Sequence, residues 1–434
     1  MRLARLLAGG CLLLNAICQA ARAGQAVPGA PESAILERMV IVERHGVRVP
    51  GTPPPGLAAE AWPAWPAWPV AAGELTPHGA SDMRLMGGWL RRTYAGQGLL
   101  PARGCPAEGE VTVRADGHDH RTRESGDALL DGMFPGCGLA AQHGPAGMAD
   151  PLFDGLATGA CPLDPDQAHA AVTGALSNGL QDPVPGYRPA LAALAGLLDP
   201  AAAHEPCPGS GVSCLATGAN RVVTTARDAR LKGPLATGAG LVETLGLEYD
   251  QGMAGAQLGW GRLTPATLDA IMPLRNGYSA LTRANPTIAA HNGALMARAV
   301  LAAIDGRPPE SQGQNAKFVV FLGHDTTLAN MAGILGLRWT LPGQPDALPP
   351  GAALVFAVYH GRDPADRWAQ LALTYQTADQ LRTLAPLDDA HPPGRVELRP
   401  DACRATAAGC GIDTLRRIVA ASVPARCVAT PPTP

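Results

Sequence analysis

The chain has 434 residues, 46% of them hydrophobic and 16% charged, with a net charge of −3. That is long for a single core, so two lobes are expected, and the composition excludes a disordered chain even though 52 glycines and 42 prolines promise many loops. No Lys/Arg block stands out, which excludes a nucleic-acid or membrane-surface patch; any affinity for anions has to be local.

In chain order, residues 1–23 read as an export signal. Arg2 and Arg5 form a basic start, Leu6 to Ala16 are mostly apolar, and Ala21-Arg22-Ala23 offers a small-x-small cleavage site. The product is expected to be soluble, periplasmic or secreted, and away from the membrane once the signal is removed. Cys11 is followed by more apolar sequence, so lipid attachment fits less well. Eight cysteines lie beyond the signal: Cys105, Cys137, Cys161, Cys207, Cys214, Cys403, Cys410 and Cys427. An oxidising compartment favours four disulfides over free thiols or a metal site. Spacing picks out Cys207 with Cys214 and Cys403 with Cys410, and leaves the other four open.

The apolar run Met39-Val40-Ile41-Val42 reads as a buried β-strand, and Arg44-His45-Gly46-Val47-Arg48-Val49-Pro50 follows it. The repeat Ala61-Trp62-Pro63, Ala64-Trp65-Pro66, Ala67-Trp68-Pro69 excludes a helix interior and is expected as an extended, aromatic-faced loop covering the insertion over 162–283. A second β-like run, Glu110 to Val113, leads to His118-Asp119-His120-Arg121, with a helix expected over Ser125 to Met133. Ala/Leu-rich segments such as Ala190 to Leu198 and Gly240 to Leu247 then predict helices. A third β-like run, Phe318 to Leu322, ends in Gly323-His324-Asp325; a helix is expected over Thr327 to Leu335, stopped by Gly336. The last residues, from Ala429, are expected to fray. The fold class is α/β: a Rossmann-like, mostly parallel sheet flanked by helices, with an inserted, mostly helical domain. The expected division is an α/β domain from 33–161 and 284–434 and an insertion over 162–283, with the site in the cleft between them.

The heptad carries the chemistry. A neutral imidazole is a good nucleophile toward phosphorus, and flanking guanidiniums disfavour its protonated form while gathering phosphate oxygens. Gly46 is expected to let the backbone approach a phosphate, and Pro50 to stiffen the turn. His118-Asp119-His120 offers a metal set on paper, but the adjacent Arg121 charge opposes a cation, so no metal is expected there.

These residues, with Gly323-His324-Asp325-Thr326-Thr327-Leu328, Ala61-Trp62-Pro63, Leu75-Thr76-Pro77, Gly259-Trp260-Gly261-Arg262 and Trp339-Thr340-Leu341-Pro342-Gly343-Gln344-Pro345-Asp346, make a sequence that resembles the histidine acid phosphatases. The nearest resemblance is to their bacterial periplasmic phytase and acid-phosphatase branch. It implies that His45 is phosphorylated and that Asp325 protonates the leaving oxygen. It also implies that Arg44, Arg48, Arg121 and His324 hold the phosphoryl oxygens, and that Glu243 is a substrate-pocket residue. Fixed donors of this kind replace Mg²⁺, so no cofactor is expected. The implied disulfides are Cys105 with Cys137, Cys161 with Cys427, and the two short pairs. The family has an acidic residue directly before the arginine matched by Arg121, and one residue fewer upstream; here His120 stands in that place.

Asp325 has to be protonated to donate while His45 has to be neutral to attack, so an acidic optimum is expected. The partners are small-molecule phosphate monoesters, phytate (myo-inositol hexakisphosphate) among them, and a monomer is expected. Gly51-Thr52-Pro53-Pro54-Pro55 lacks the lysine that phytase-like relatives carry after the heptad. The runner-up is a narrow sugar-phosphate phosphatase of the glucose-1-phosphatase type. A phosphoglycerate-mutase-like transferase shares Arg-His-Gly but not export, disulfides and His-Asp. An exported phosphate-ester binding protein without turnover is the remaining alternative, against which both nucleophile and donor speak.

Overall fold

The computed structural model describes residues 34–51, 65–176, 185–199, 215, 218–307, 316–404 and 408–428. The signal-like segment, Thr52 to Ala64, Cys207 with Cys214, and the tail from Ala429 lie outside the described residues. The strands are β1 (Ile35–Arg44), β2 (Val111–Ala115), β3 (Arg221–Thr225), β4 (Asp228–Lys232), β5 (Phe318–Gly323), β6 (Ala353–His360), β7 (Arg367–Tyr375), β8 (Gly394–Leu398) and β9 (Cys410–Gly411). The helices are α1 (Pro77–Gly96), α2 (His120–Met133), α3 (Pro165–Gly174), α4 (Arg188–Leu198), α5 (Pro234–Asp250) and α6 (Pro265–Ile271). They continue with α7 (Pro273–Thr282), α8 (Pro286–Asn292), α9 (Ala294–Ile304), α10 (Asp325–Leu335), α11 (Ala378–Thr383) and α12 (Ile412–Ser422).

The fold is α/β, with a seven-stranded sheet in the order β2-β5-β1-β6-β7-β8 and β9 beside β7. Its parallel part is β2, β5 and β1, the three strands foreseen from the apolar runs. The rest is antiparallel, because β6 and β7 are joined by residues 361–366, too few for a crossover, and return as a hairpin beside β1. Both faces of the sheet are covered. Val40, Val42, Val319, Phe321, Leu354 and Phe356 pack under a layer that includes Val300 of α9, Leu328 of α10 and Leu415 of α12. Met39, Ile41, Val320, Leu322 and Val355 face Met83, Met86 and Leu90 of α1 and Leu129 of α2. Burial on both sides explains why these strands read as unbroken apolar runs.

A separate apolar cluster joins Leu191 and Leu194 of α4, Leu241, Val242 and Leu245 of α5, and Leu274 of α7. Residues 162–283 also hold the antiparallel pair β3–β4, which the helical expectation for this stretch did not include. Trp65 and Trp68 of the repeat lie against this cluster, Trp65 with its ring 4.7 Å from that of Trp260. Disulfides join Cys105 to Cys137, Cys161 to Cys427 and Cys403 to Cys410.

Candidate active site

Parallel pairing sets the site. Arg44 is in register with Gly323, so the residues one step on, His45 and His324, leave neighbouring strand ends together. The His45 N–H donates to the Gly323 carbonyl at 2.9 Å, and the Asp116 N–H, just past β2, donates to the Leu322 carbonyl at 3.0 Å. The loop after His45 is then clamped by two helices. Val47 accepts from both the N–H (3.0 Å) and the hydroxyl (3.2 Å) of Thr76, which also caps α1, while Ser125 of α2 accepts the Gly46 N–H at 3.1 Å. Gly46 also serves packing: a Cβ there meets the Gly79 carbonyl at 2.8 Å, so its bare backbone lets the loop approach α1.

His45 is buried, and its Nδ1 lies 2.8 Å from the Gly46 carbonyl. A carbonyl only accepts, so Nδ1 carries the proton and the lone pair is on Nε2. Burial, then the charges of Arg44 and Arg121, hold the imidazole well below the usual histidine range. The ring lies edge-on to His324, with centroids 5.5 Å apart.

An open chamber of about 480 Å³ is lined by His45, Arg48, Arg121, Glu243, His324 and Asp325, together with Asp116, Asp119, Asp154 and Arg283. Six of the seven residues singled out from the sequence thus share one chamber. Arg44 stands behind it: one terminal nitrogen reaches the Leu348 carbonyl and Asp346 (3.4 Å), and the other lies 3.6 Å from Glu243. Glu243 is a counter-ion to several arginines at once, its Oε1 2.9 Å from Arg48, 3.3 Å from Arg275 and 3.6 Å from Arg44. Burial alone raises its pKa, but Arg275 and Arg48 outweigh that and leave it lowered.

Asp325 is the first residue of α10, which starts two residues earlier than the apolar spacing indicated. Its Oδ2 accepts from Arg275 at 3.0 Å and from Arg283, and its Oδ1 from the Thr326 N–H at 2.8 Å. Burial pushes this carboxyl up, yet Arg283 and Arg275 overcome it and hold it well below the usual carboxylate range. Arg275 also donates to Asp346 at 2.9 Å. Arg275, Arg283 and Asp116 are site residues that sequence reasoning missed: the two arginines stand alone in and just after a helix, and Asp116 follows β2 with no histidine beside it to mark it. Asp346 appeared only within a longer matched segment.

Arg121 lies in the first turn of α2, where the helix dipole and the first-turn N–H groups already favour an anion. Its guanidinium donates to Asp119 at 2.7 Å. His324 Nε2 lies 2.8 Å from Asp116 and 3.5 Å from Asp119. Burial raises the pKa of Asp116, but the His324 hydrogen bond and the His118 N–H outweigh it and leave it lowered. His118 and His120 do not converge: His118 lies by Asp119 (3.5 Å), whereas His120 turns to Glu74 (2.8 Å).

Residues 35–179 and 254–374 match the histidine phosphatase superfamily (branch 2). The chain is 33% identical over 412 residues to phytase AppA of Escherichia coli, covering 88% of this chain and 91% of that protein. It is 27% identical to a glucose-1-phosphatase of Providencia rettgeri, covering 89% and 91%. Among solved structures, Hafnia alvei phytase in complex with tartrate superimposes with a TM-score of 0.85 at 35% identity, covering 92% of this chain and 100% of that one.

Proposed function

The chain belongs to branch 2 of the histidine phosphatase superfamily, and we propose that it is an exported acid phosphomonoesterase, with phytate among its substrates, that works through a phosphohistidine on His45 and a proton donated by Asp325. The observation that carries this reading is the His45 tautomer. With Nδ1–H tied to the Gly46 carbonyl, the Nε2 lone pair belongs to a chamber whose walls bear Arg48, Arg121, Arg283 and His324. In the first step Nε2 attacks phosphorus, the ester P–O bond breaks, and the alkoxide leaves with the Asp325 proton. In the second, Asp325 takes a proton from water as the water oxygen attacks phosphorus, and the N–P bond breaks to release phosphate. Charge on the equatorial oxygens is met by guanidinium and imidazole donors.

Asp325 as an acid needs a proton that Arg283 and Arg275 disfavour. The substrate supplies the change: a phosphate dianion competes for Arg283 and adds negative charge beside the carboxylate, and both effects raise its proton affinity. Arg44, behind the chamber, acts by its charge on His45 and by fixing Glu243. Phytate is favoured over a narrow sugar phosphate by 33% and 35% identity to proteins named phytases, against 27% for a glucose-1-phosphatase. The three disulfides among the described residues suit an oxidising compartment, in keeping with an export signal at 1–23.

The test is phosphate release from phytate, glucose 1-phosphate and an aryl phosphate at several acidic pH values, with chelator present. His45→Ala should abolish all three activities, and hydrolysis that persists would sink the covalent mechanism. Asp325→Asn should cost the alkyl esters far more than the aryl ester, whose leaving group departs without a proton. An equal loss on all three would remove the donor role.

A further inference from the structure

Asp119 occupies the N-cap position of α2, with extended backbone (φ −101°, ψ 135°), yet its side chain caps nothing. At that position an aspartate ordinarily accepts from the first-turn N–H groups and stabilises the helix. Here the carboxylate is turned into the chamber. Its Oδ2 lies 2.7 Å from an Arg121 terminal nitrogen and 3.5 Å from His324 Nε2. Arg121, assigned above to phosphoryl oxygens, thus already donates to an anionic oxygen of the protein, and His324, whose Nε2 is 2.8 Å from Asp116, has that same Asp119 oxygen at the longer distance. Its other oxygen faces His118 at 3.5 Å.

We propose that Asp119 is an internal competitor for the phosphoryl pocket: its carboxylate sits between Arg121 and His324, where a phosphoryl oxygen binds, and substrate enters by displacing it. The proposal rests on the reading that Arg121 and His324 receive the phosphoryl group. Between turnovers the carboxylate keeps the guanidinium oriented and compensated. When inorganic phosphate is the occupant, the same carboxylate competes for Arg121 and weakens retention of the product. A charge-assisted contact of this length is strong enough for its loss to alter anion affinity several-fold.

The experiment uses the full-length enzyme, an aryl phosphate substrate, and inorganic phosphate as the competing ligand. Asp119→Asn keeps a good N-cap residue, so folding is preserved and can be checked by melting temperature. Phosphate should inhibit this variant about fivefold more strongly than wild type or better, with KM falling in step. Weaker inhibition with a higher KM would mean that Asp119 only holds Arg121 in place, and unchanged inhibition would mean that it does not compete; either overturns the proposal. Asp154→Asn removes a carboxylate from the same wall without touching Arg121. An equal gain there would assign the effect to overall charge and overturn the proposal too. Arg121→Met separates the two levels. If phosphate inhibition is unaffected by that change, the phosphoryl assignment itself fails; if it weakens while Asp119→Asn gives no gain, only the competitor fails.

Discussion

A histidine attacks phosphorus only through an unprotonated ring nitrogen, and an acid-working enzyme has to keep one in that state below the ordinary imidazole pKa. Burial supplies the largest part of the depression at His45, followed by Arg44, Arg121, His324 and Arg48. Removing one of these charges should let the ring protonate sooner. In Arg121→Met, the acid limb of the kcat/KM profile should lie at higher pH than in wild type, in addition to any loss of phosphate affinity; an acid limb left in place would mean that Arg121 does not act on the nucleophile. At this scale the sequence was legible where a histidine motif directly follows a strand end. His45 and Arg48 follow one apolar run, and His324 and Asp325 follow another. Arg275 and Arg283 come from α7 and the residue just after it, and only tertiary packing brings them to Asp325. Glu243 was read as a pocket residue; its contacts add that it bridges Arg48, just after β1, and Arg275 of α7.

Elements explain why Gly46 and Gly79 stand where they do. The start of α1 crosses directly under the loop after His45, and a Cβ at Gly79 lies 2.2 Å from the Val47 carbonyl oxygen, a contact with backbone that no rotamer change relieves. Gly79→Ala should therefore push the loop off α1. Expected are a stability loss of about 1–3 kcal/mol, the usual cost of overpacking, and a fall in kcat larger than any change in KM. A variant with wild-type melting temperature and kcat would show that the crossing is looser than its geometry. Helix starts were the least legible feature. The starts expected at Ser125 and Thr327 follow the apolar face, whereas α2 and α10 begin at His120 and Asp325 because polar first turns carry the site. The pair β3–β4 was missed for a related reason: Val222-Val223-Thr224-Thr225 has β-forming residues, but the turn at Ala226-Arg227 lacks the Asn-Gly type of signal.

For the whole molecule, buried carboxyls with raised pKa values tie stability to acid. Burial pushes Glu43 up to about 8, both its oxygens lying without a partner among the described residues. Burial, helped by Asp346, takes Asp250 to about 8, and burial takes Glu248 to about 7 against the Gly259 N–H that it accepts. In an unfolded chain such groups titrate near ~4. Their contribution to stability is thus complete below that value and is lost as pH rises toward the folded values, at about 1.4 kcal/mol per pH unit for each proton retained. His45 and His291 work in the opposite sense. Their lowered pKa values mean that the unfolded chain takes up protons first as pH falls below ~6.5. Below ~6.5 the two histidines offset part of the effect of the three carboxyls; from ~6.5 to 8 the carboxyls act alone and stability falls most steeply. Equilibrium unfolding in urea from pH 5 to 8 should show that decline. Glu43→Gln, which mimics the protonated acid, should leave stability at pH 5 close to wild type and make the loss up to pH 8 shallower by one proton's worth. An unchanged slope in the variant would mean that Glu43 is not the group retaining the proton, and a wild-type stability that rises toward pH 8 would mean that buried acids do not govern it.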